Sequence, residues 1–287
     1  MIDNLPYRWD LLLRYRFIEV IALWEGRLTT RHLVQTFGIG RQQASKDINT
    51  YNRSVGPGNL VYNKFLKGYE PSAQFVPRVT RGFSDEYLQL LANQSELHRT
   101  FSSVALPTGQ TEVLQPPARP VAHDVLRPLL RAAREQARIE VDYVSVNNPD
   151  REGRIIAPHT LVWTGLRWHV RGWCEKNRDF RDFVLSRFRG VPDILGPAAQ
   201  TCSDDIEWNR IITVILQPDP RLTPAQQEVV ATDFGMSDGY LTIKLRARLL
   251  GYLLKLLNIP SGELLDDPRA QQVVIANRAD VTPWLLP

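Results

Sequence analysis

The run Arg41-Gln42-Gln43-Ala44-Ser45-Lys46-Asp47-Ile48-Asn49-Thr50-Tyr51-Asn52-Arg53 carries two kinds of residue at helical spacing. At about 100° per residue, Ala44, Ile48 and Tyr51 fall within roughly 60° of one another and make a packing face. Gln42, Lys46, Asn49 and Arg53 fall on the other side. Gln and Asn can bond adenine at two points, Lys and Arg reach guanine or phosphate, and a hydroxyl such as Ser45 can bond either. Arg41, Gln42 and Gln43 occupy the first turn, the part of a recognition helix that enters a DNA groove deepest. The chemistry on offer is the reading of base edges and backbone; a merely solvated polar face is the alternative.

Charge distribution agrees with the first reading. Residues 1–82 hold twelve Lys/Arg against six Asp/Glu, a net +6, which leaves −2 for the other 205 residues of a chain whose total is +4. A basic head on a near-neutral body is the footprint of nucleic-acid contact in one domain. At 287 residues, 43% apolar and 23% charged, the chain is long enough for two or three domains and too apolar for wholesale disorder. No window approaches the ~18 uninterrupted apolar residues of a membrane span. The N-terminus lacks a basic segment followed by an apolar one, so a cytoplasmic location is expected. Two cysteines, Cys174 and Cys202, exclude a disulfide framework.

Several elements must position the recognition residues. Leu11, Leu12, Tyr15, Ile18, Ala22 and Trp24 predict one buried side of a helix ending at Gly26. A second helix runs from a Thr29 or Thr30 cap to Phe37, and Gly38-Ile39-Gly40 makes a tight break before a third, from Arg41 to about Ser54. Leu60–Phe65 and Gly68–Pro71 read as strands around a Leu66-Lys67 turn, with Lys64 and Lys67 placed to grip phosphates. Helix, helix, tight turn, helix, hairpin is the order of a winged helix-turn-helix, assigned to residues 1–82. A helical connector and linker, 83–137, follows. It contains a helix opened by Ser84-Asp85-Glu86 with Tyr87, Leu90, Leu91 and Leu97 on one side, a Pro-rich stretch at 107–120, and a helix from His123 to about Ala137.

From Arg138 the pattern changes to short strands: Ile139–Ser145, Arg154–Trp163, Arg167–Cys174 and Phe180–Arg189, spaced as in a small bent sheet or barrel. After residue 200 the order β-α-β-α-β suggests a ferredoxin-like module, with Thr223-Pro224-Ala225-Gln226 as a strong helix start. No nucleotide-binding or hydrolase motif is present, and the histidines at 32, 98, 123, 159 and 169 are scattered, so neither an enzyme nor a metal centre or other cofactor is expected.

The segments Ile139–Ser145, Ile156–Val162, Arg167–Cys174 and Phe180–Arg187, following a winged helix-turn-helix, resemble the WYL domain, an Sm-like β-barrel named for a Trp-Tyr-Leu triplet. The triplet here is Trp168-His169-Val170, with an imidazole where the family has a phenol. The resemblance spans nearly the whole chain, since the family's tail is the WCX domain. It implies an α+β multidomain regulator with a winged helix-turn-helix, a WYL barrel over 138–200 and a WCX dimerisation domain over 201–287. It further implies a homodimer on a palindromic double-stranded operator, similar to repressors that guard phage-defence islands, and a regulatory ligand for which single-stranded DNA or a nucleotide is a candidate. The positions matching the family's groove are Tyr143, Ser145, His159, Trp168, Arg181 and Arg187, to which His169 is added.

Residue type and strand parity describe that groove independently of the resemblance. On one strand, Arg181, Phe183, Leu185, Arg187 and Arg189 share a parity, so three guanidiniums could line one face, and His169 and Arg171 share a parity on the strand before. Arg, His, Ser and Tyr suit a phosphate, and nearby aromatics suit stacked bases. Alternatively Phe183 and Leu185 are core, as Cys174 is by parity, and Arg181 pairs with Asp142 or Asp182. A constitutive architectural or single-strand-binding protein, or an activator of the same family, is an alternative function.

Overall fold

A computed structural model describes residues 6–100, 111–114, 116–147, 149–150 and 152–285. The chain divides into two compact units, Met1–Gln115 and Pro116–Pro287. Leu97 lies among residues whose side chains are outside the description, and so does much of the Pro-rich stretch.

In the first unit, α1 (Trp9–Glu25) ends at Gly26, whose φ of 67° supplies the left-handed cap. Tyr15, Ile18 and Ala22 are fully buried, but Trp24 is 38% exposed. Trp24 lies about 180° around the helix from Tyr15, so it cannot share that face. Phe17, Val20 and Ile21 are buried as well, because the stretch Phe17–Ala22 of α1 is surrounded on all sides rather than half-solvated. α2 (Thr30–Phe37) is capped through the backbone N–H of Thr29, which donates to His32 Nδ1 at 3.2 Å. α3 (Arg41–Thr50) widens into a π turn over Tyr51–Val55, instead of running on as an α-helix to Ser54. There Tyr51 is held by Glu19 and Asn59, and Asn52 bonds both backbone groups of Leu60.

β1 (Leu60–Asn63) and β2 (Gly68–Pro71) form the antiparallel wing. The first strand ends two residues earlier than its apolar pattern predicts. Asn63 Oδ1 accepts the N–H groups of Phe65 and Leu66, an Asx turn that takes the chain out of the ladder. α4 (Ser84–Thr100) packs Tyr87, Leu90 and Leu91 on the same core as α1 and α3. The buried Glu19 carboxylate ties these parts together, accepting from the Tyr51 hydroxyl, the Thr80 hydroxyl and the backbone N–H groups of Arg78, Val79 and Thr80.

In the second unit, α5 (His123–Glu135) packs Val125, Leu129 and Ala132 on a five-stranded antiparallel sheet. Its strands are β3 (Ala137–Tyr143), β4 (Glu152–Trp163), β5 (Trp168–Cys174), β6 (Asp179–Val184) and β7 (Phe188–Pro197), in the order β6-β5-β4-β3-β7. Among the described residues the ladder does not close into a barrel; β6 and β7 are its edges. The single strand expected over Phe180–Arg189 is two strands broken by a 3-10 turn, Leu185–Arg187. That turn ends the parity on which three arginines shared a face: Arg181 is on β6, Arg187 on the turn and Arg189 on β7. Phe183, Leu185 and Cys174 are core.

The rest of the unit comprises α6 (Ile206–Asn209), β8 (Ile211–Pro218), α7 (Pro224–Asp233), β9 (Leu241–Arg246), α8 (Leu250–Leu256), β10 (Val273–Ile275) and α9 (Arg278–Val281). The sheet order is β10-β8-β9, with both neighbours antiparallel to β8. α7 starts as its sequence predicts, with the Gln226 N–H donating to the Thr223 hydroxyl and Gln226 Oε1 accepting from the Thr223 N–H. No helix among the described residues is long and apolar enough to cross a membrane.

Candidate nucleic-acid interface and ligand-sensing face

The Gly38-Ile39-Gly40 break, with Gly38 at φ 63°, sets α3 against α2 and turns its polar side outward. Ala44, Ile48 and Tyr51 are fully buried, as the periodicity requires. Arg41, Gln42, Gln43, Lys46, Asn49 and Arg53 are exposed and Ser45 is half-buried. Two of these are engaged within the fold. Gln43 Nε2 donates to Asp47 Oδ1 at 2.7 Å, and the Tyr69 hydroxyl of β2 donates to Asn49 Oδ1 at 3.3 Å. Asp47, buried, also accepts from Arg14 Nε at 2.8 Å, so it fixes the rotation of α3 on α1. Asp47 is a positioning residue that sequence reasoning misses, because nothing local tells a buried acid from a solvated one.

Lys64 and Lys67 project from the wing turn, both exposed. Arg41, Lys46, Arg53, Lys64 and Lys67 have no side-chain partner among the described residues. Five cations on one helix and its wing are therefore left without internal neutralisation.

The predicted ligand residues do not form one open groove. Tyr143 is buried, its ring against Phe183 and Phe188 and its hydroxyl accepting the Val184 N–H. His159 is buried at its ring, with Nε2 3.1 Å from Asp205 Oδ2 and Nδ1 2.8 Å from the Thr160 hydroxyl. His169 is 2% exposed, its ring centroid 5.2 Å from that of Tyr252 on α8, and its Nδ1 has no hydrogen-bond partner among the described residues. Burial, helped by Arg167 and Arg187, pulls the His169 imidazole down to about 4, so it is neutral at pH 7. Ser145 and Arg187 are half-buried, and Arg181 is exposed, 3.6 Å from Asp179 rather than paired with Asp142 or Asp182. Trp168 is 48% exposed beside the equally exposed Trp163, ring centroids 5.2 Å apart.

The face of β5 that carries His169 and Arg171 is covered by the segments that begin α6 and α8. Arg171, fully buried, donates from Nε and Nη2 to the two oxygens of Asp205 and from Nη1 to Asp182 Oδ1. Asp182 accepts in turn from the Tyr252 hydroxyl at 3.0 Å and from Arg248. Burial alone would raise the Asp205 carboxyl, but hydrogen bonds from His159, Arg171 and the Trp208 N–H override it and hold it at about 2. The sequence signalled only that Arg171 shares a side with His169. Asp205 lies 34 residues further along and Tyr252 later still, beyond any local pattern.

Comparison with known proteins agrees with this layout. Residues 10–93 match the BrxR transcriptional regulator winged helix-turn-helix domain, 124–192 the WYL domain, and 211–281 the BrxR transcriptional regulator C-terminal dimerization domain. The DNA-binding transcriptional repressor CapW of Stenotrophomonas maltophilia is 34% identical over 97% of this chain and 93% of its own length. The proteins of the same name from Escherichia coli (strain KTE188) and Pseudomonas aeruginosa are 33% and 32% identical, each over 96% of this chain and 91% of theirs. Proteasome accessory factor B/C of Arthrobacter aurescens aligns at 16% identity with a TM-score of 0.25, over 96% of this chain and 48% of that one, a likeness too weak to bear on the fold. With near full-length relatives above 30% identity and three domain matches in the order of its folded parts, the chain belongs to the CapW family of DNA-binding transcriptional repressors.

Proposed function

We propose that this chain is a sequence-specific transcriptional repressor that binds operator DNA in the cytoplasm as a homodimer joined through its C-terminal domain. The observation that carries the reading is the set of five unneutralised cations on α3 and the wing, on a chain whose remainder is slightly acidic. In the dimer two α3 helices enter successive major grooves of a palindromic site, and Lys64 and Lys67 hold phosphates beside each.

A ligand bound at Trp168, Arg181 and Arg187, the predicted groove residues that with Ser145 are exposed or half-buried, acts through the buried rings of Tyr143, His159 and His169. It releases DNA only if it prefers an arrangement of the two heads that the operator cannot accept. The open order β6-β5-β4-β3-β7 supports an Sm-like lineage for the sheet. A split β9-α8-β10 unit with β8 between its strands supports a ferredoxin-like one for the C-terminal module.

The test is a mobility-shift titration on the duplex upstream of the protein's own gene, against unrelated competitor at stated salt. Lys46→Ala and Arg41→Ala should each abolish specific retention and leave the dimer intact. Retention that survives both changes places recognition elsewhere, and retention lost equally to any duplex favours an architectural protein. Short single-stranded oligonucleotides should relieve retention in the wild type and much less in Arg181→Ala.

A further inference from the structure

Phe65, at the tip of the wing, is 98% exposed, more than any other aromatic residue among the described residues of the first unit. Its ring takes no part in the core of that unit. Yet the backbone beneath it is firmly built. Asn63 Oδ1 accepts from the N–H groups of Phe65 and Leu66 at 2.9 and 3.1 Å, and Asn63 Nδ2 donates to Glu70 Oε2 at 2.9 Å. Lys67 closes the turn at φ 47°.

The hairpin is fixed to α3 and its extension from both strands. Asn52 Oδ1 and Nδ2 bond the N–H and carbonyl of Leu60, each at 2.8 Å, and the Tyr69 hydroxyl reaches Asn49 on α3. A third strand-like contact, Leu28 with Tyr69, holds the outer side. Phe65 is thus presented at a set distance from the residues that face the major groove, with exposed Lys64 before it and Lys67 two residues on.

We propose that Phe65 is a wedge that enters the minor groove beside each half-site and partly unstacks one base step. This rests on the DNA-binding reading above and extends it to a specificity that no hydrogen bond reads. An apolar ring bracketed by two ammonium groups matches a stacked base step bracketed by two phosphate backbones. A wing continuous with α3 brings the ring to that place when α3 is seated. Unstacking costs least at pyrimidine–purine steps and most in A-tracts. The operator therefore carries a flexible step at a fixed offset from each α3 contact, mirrored in the two halves.

The experiment uses the full chain and the duplex upstream of its own gene, with 2-aminopurine placed in turn at each adenine flanking the half-sites. One position per half-site should brighten on binding by the wild type. Phe65→Ala should abolish that signal and weaken binding about tenfold or more, the loss expected when one aromatic stacked on a base is removed. Phe65→Leu, which keeps an apolar wedge, should retain most of both. Replacing the flexible step by A-tract sequence should weaken the wild type and leave Phe65→Ala unchanged, since each change removes the same interaction.

Equal affinity and equal brightening in Phe65→Ala would overturn the wedge. So would an affinity loss that is the same on every duplex, or a loss of the dimer in sedimentation, which would assign the ring to a protein contact. The control is Lys46→Ala. If the wild type binds specifically, Lys46→Ala does not and Phe65→Ala matches the wild type in affinity and brightening, the wedge alone fails. If the wild type shows no specific binding, the repressor reading fails with it.

Discussion

Replacing Arg171 by Met would remove the cation at the centre of the buried cluster on β5 and leave Asp205 and Asp182 in place. Their side chains are 1% and 6% exposed, so water cannot take over the lost bonds. Asp205 would keep His159 and the Trp208 N–H, and Asp182 would keep Tyr252 and Arg248. Breaking a buried pair from one side costs about 3–5 kcal/mol, because the orphaned charge dominates the loss. For a unit the size of Pro116–Pro287, about 2–4 °C per kcal/mol makes that a fall in Tm of roughly 6–20 °C. Thermal unfolding followed by circular dichroism would read it, at one protein concentration because a dimer's Tm depends on concentration. Arg171→Lys should lie in between, since an ammonium cannot bond both oxygens of Asp205 in a fork. Arg171→Met combined with Asp205→Leu should recover part of the loss by removing one orphan. A Tm for Arg171→Met within about 2 °C of the wild type would refute the argument.

The same cluster sets an acid limit. The Asp205 carboxyl is depressed from 3.8 to about 2 in the fold, so its stabilisation is present above about pH 4 and lost as pH falls toward about 2. Asp205→Asn should flatten stability in that window. His169 acts at higher pH: the unfolded imidazole protonates near 6.5, the folded one only at about 4, so stability falls across that interval by about 3 kcal/mol. His169→Phe should make the loss between pH 7 and 4 visibly shallower in urea titrations; an unchanged slope would show that His169 is not the group responsible. Gly172 faces the backbone of β4, where an added Cβ would sit 2.5 Å from the Ala157 carbonyl oxygen and 2.7 Å from Pro158 Cα. Gly172→Ala should therefore cost about 1–3 kcal/mol, read as a lower urea midpoint at unchanged slope.

Much of the fold was legible because its signals are local. Helix stops at Gly26 and Gly38, the capping pair at Thr223 and Gln226, and the 100° spacing of Ala44, Ile48 and Tyr51 each depend on residues within two turns of one another. Where local signals failed, a distant partner or a side-chain bond decided. The apolar run Leu60–Phe65 reads as one strand until Asn63 turns the chain by bonding Phe65 and Leu66. Phe180–Arg189 reads as one strand until a 3-10 turn packs Leu185 inward and sends Arg187 and Arg189 to different elements.

By itself, the sequence determined the exposed polar face of α3, the basic sign of the first unit and the order of its helical, strand-rich and mixed segments, since these follow from residue type and short-range spacing. Tertiary structure alone decided that the β5 face with His169 and Arg171 lies closed under the C-terminal module. It also decided which acids neutralise Arg171 and which cations of α3 and the wing stay unpaired. The physical reason is that a charged side chain has no local marker of its fate. Whether it is solvated, paired or buried depends on groups tens of residues away, and only the folded chain brings those together.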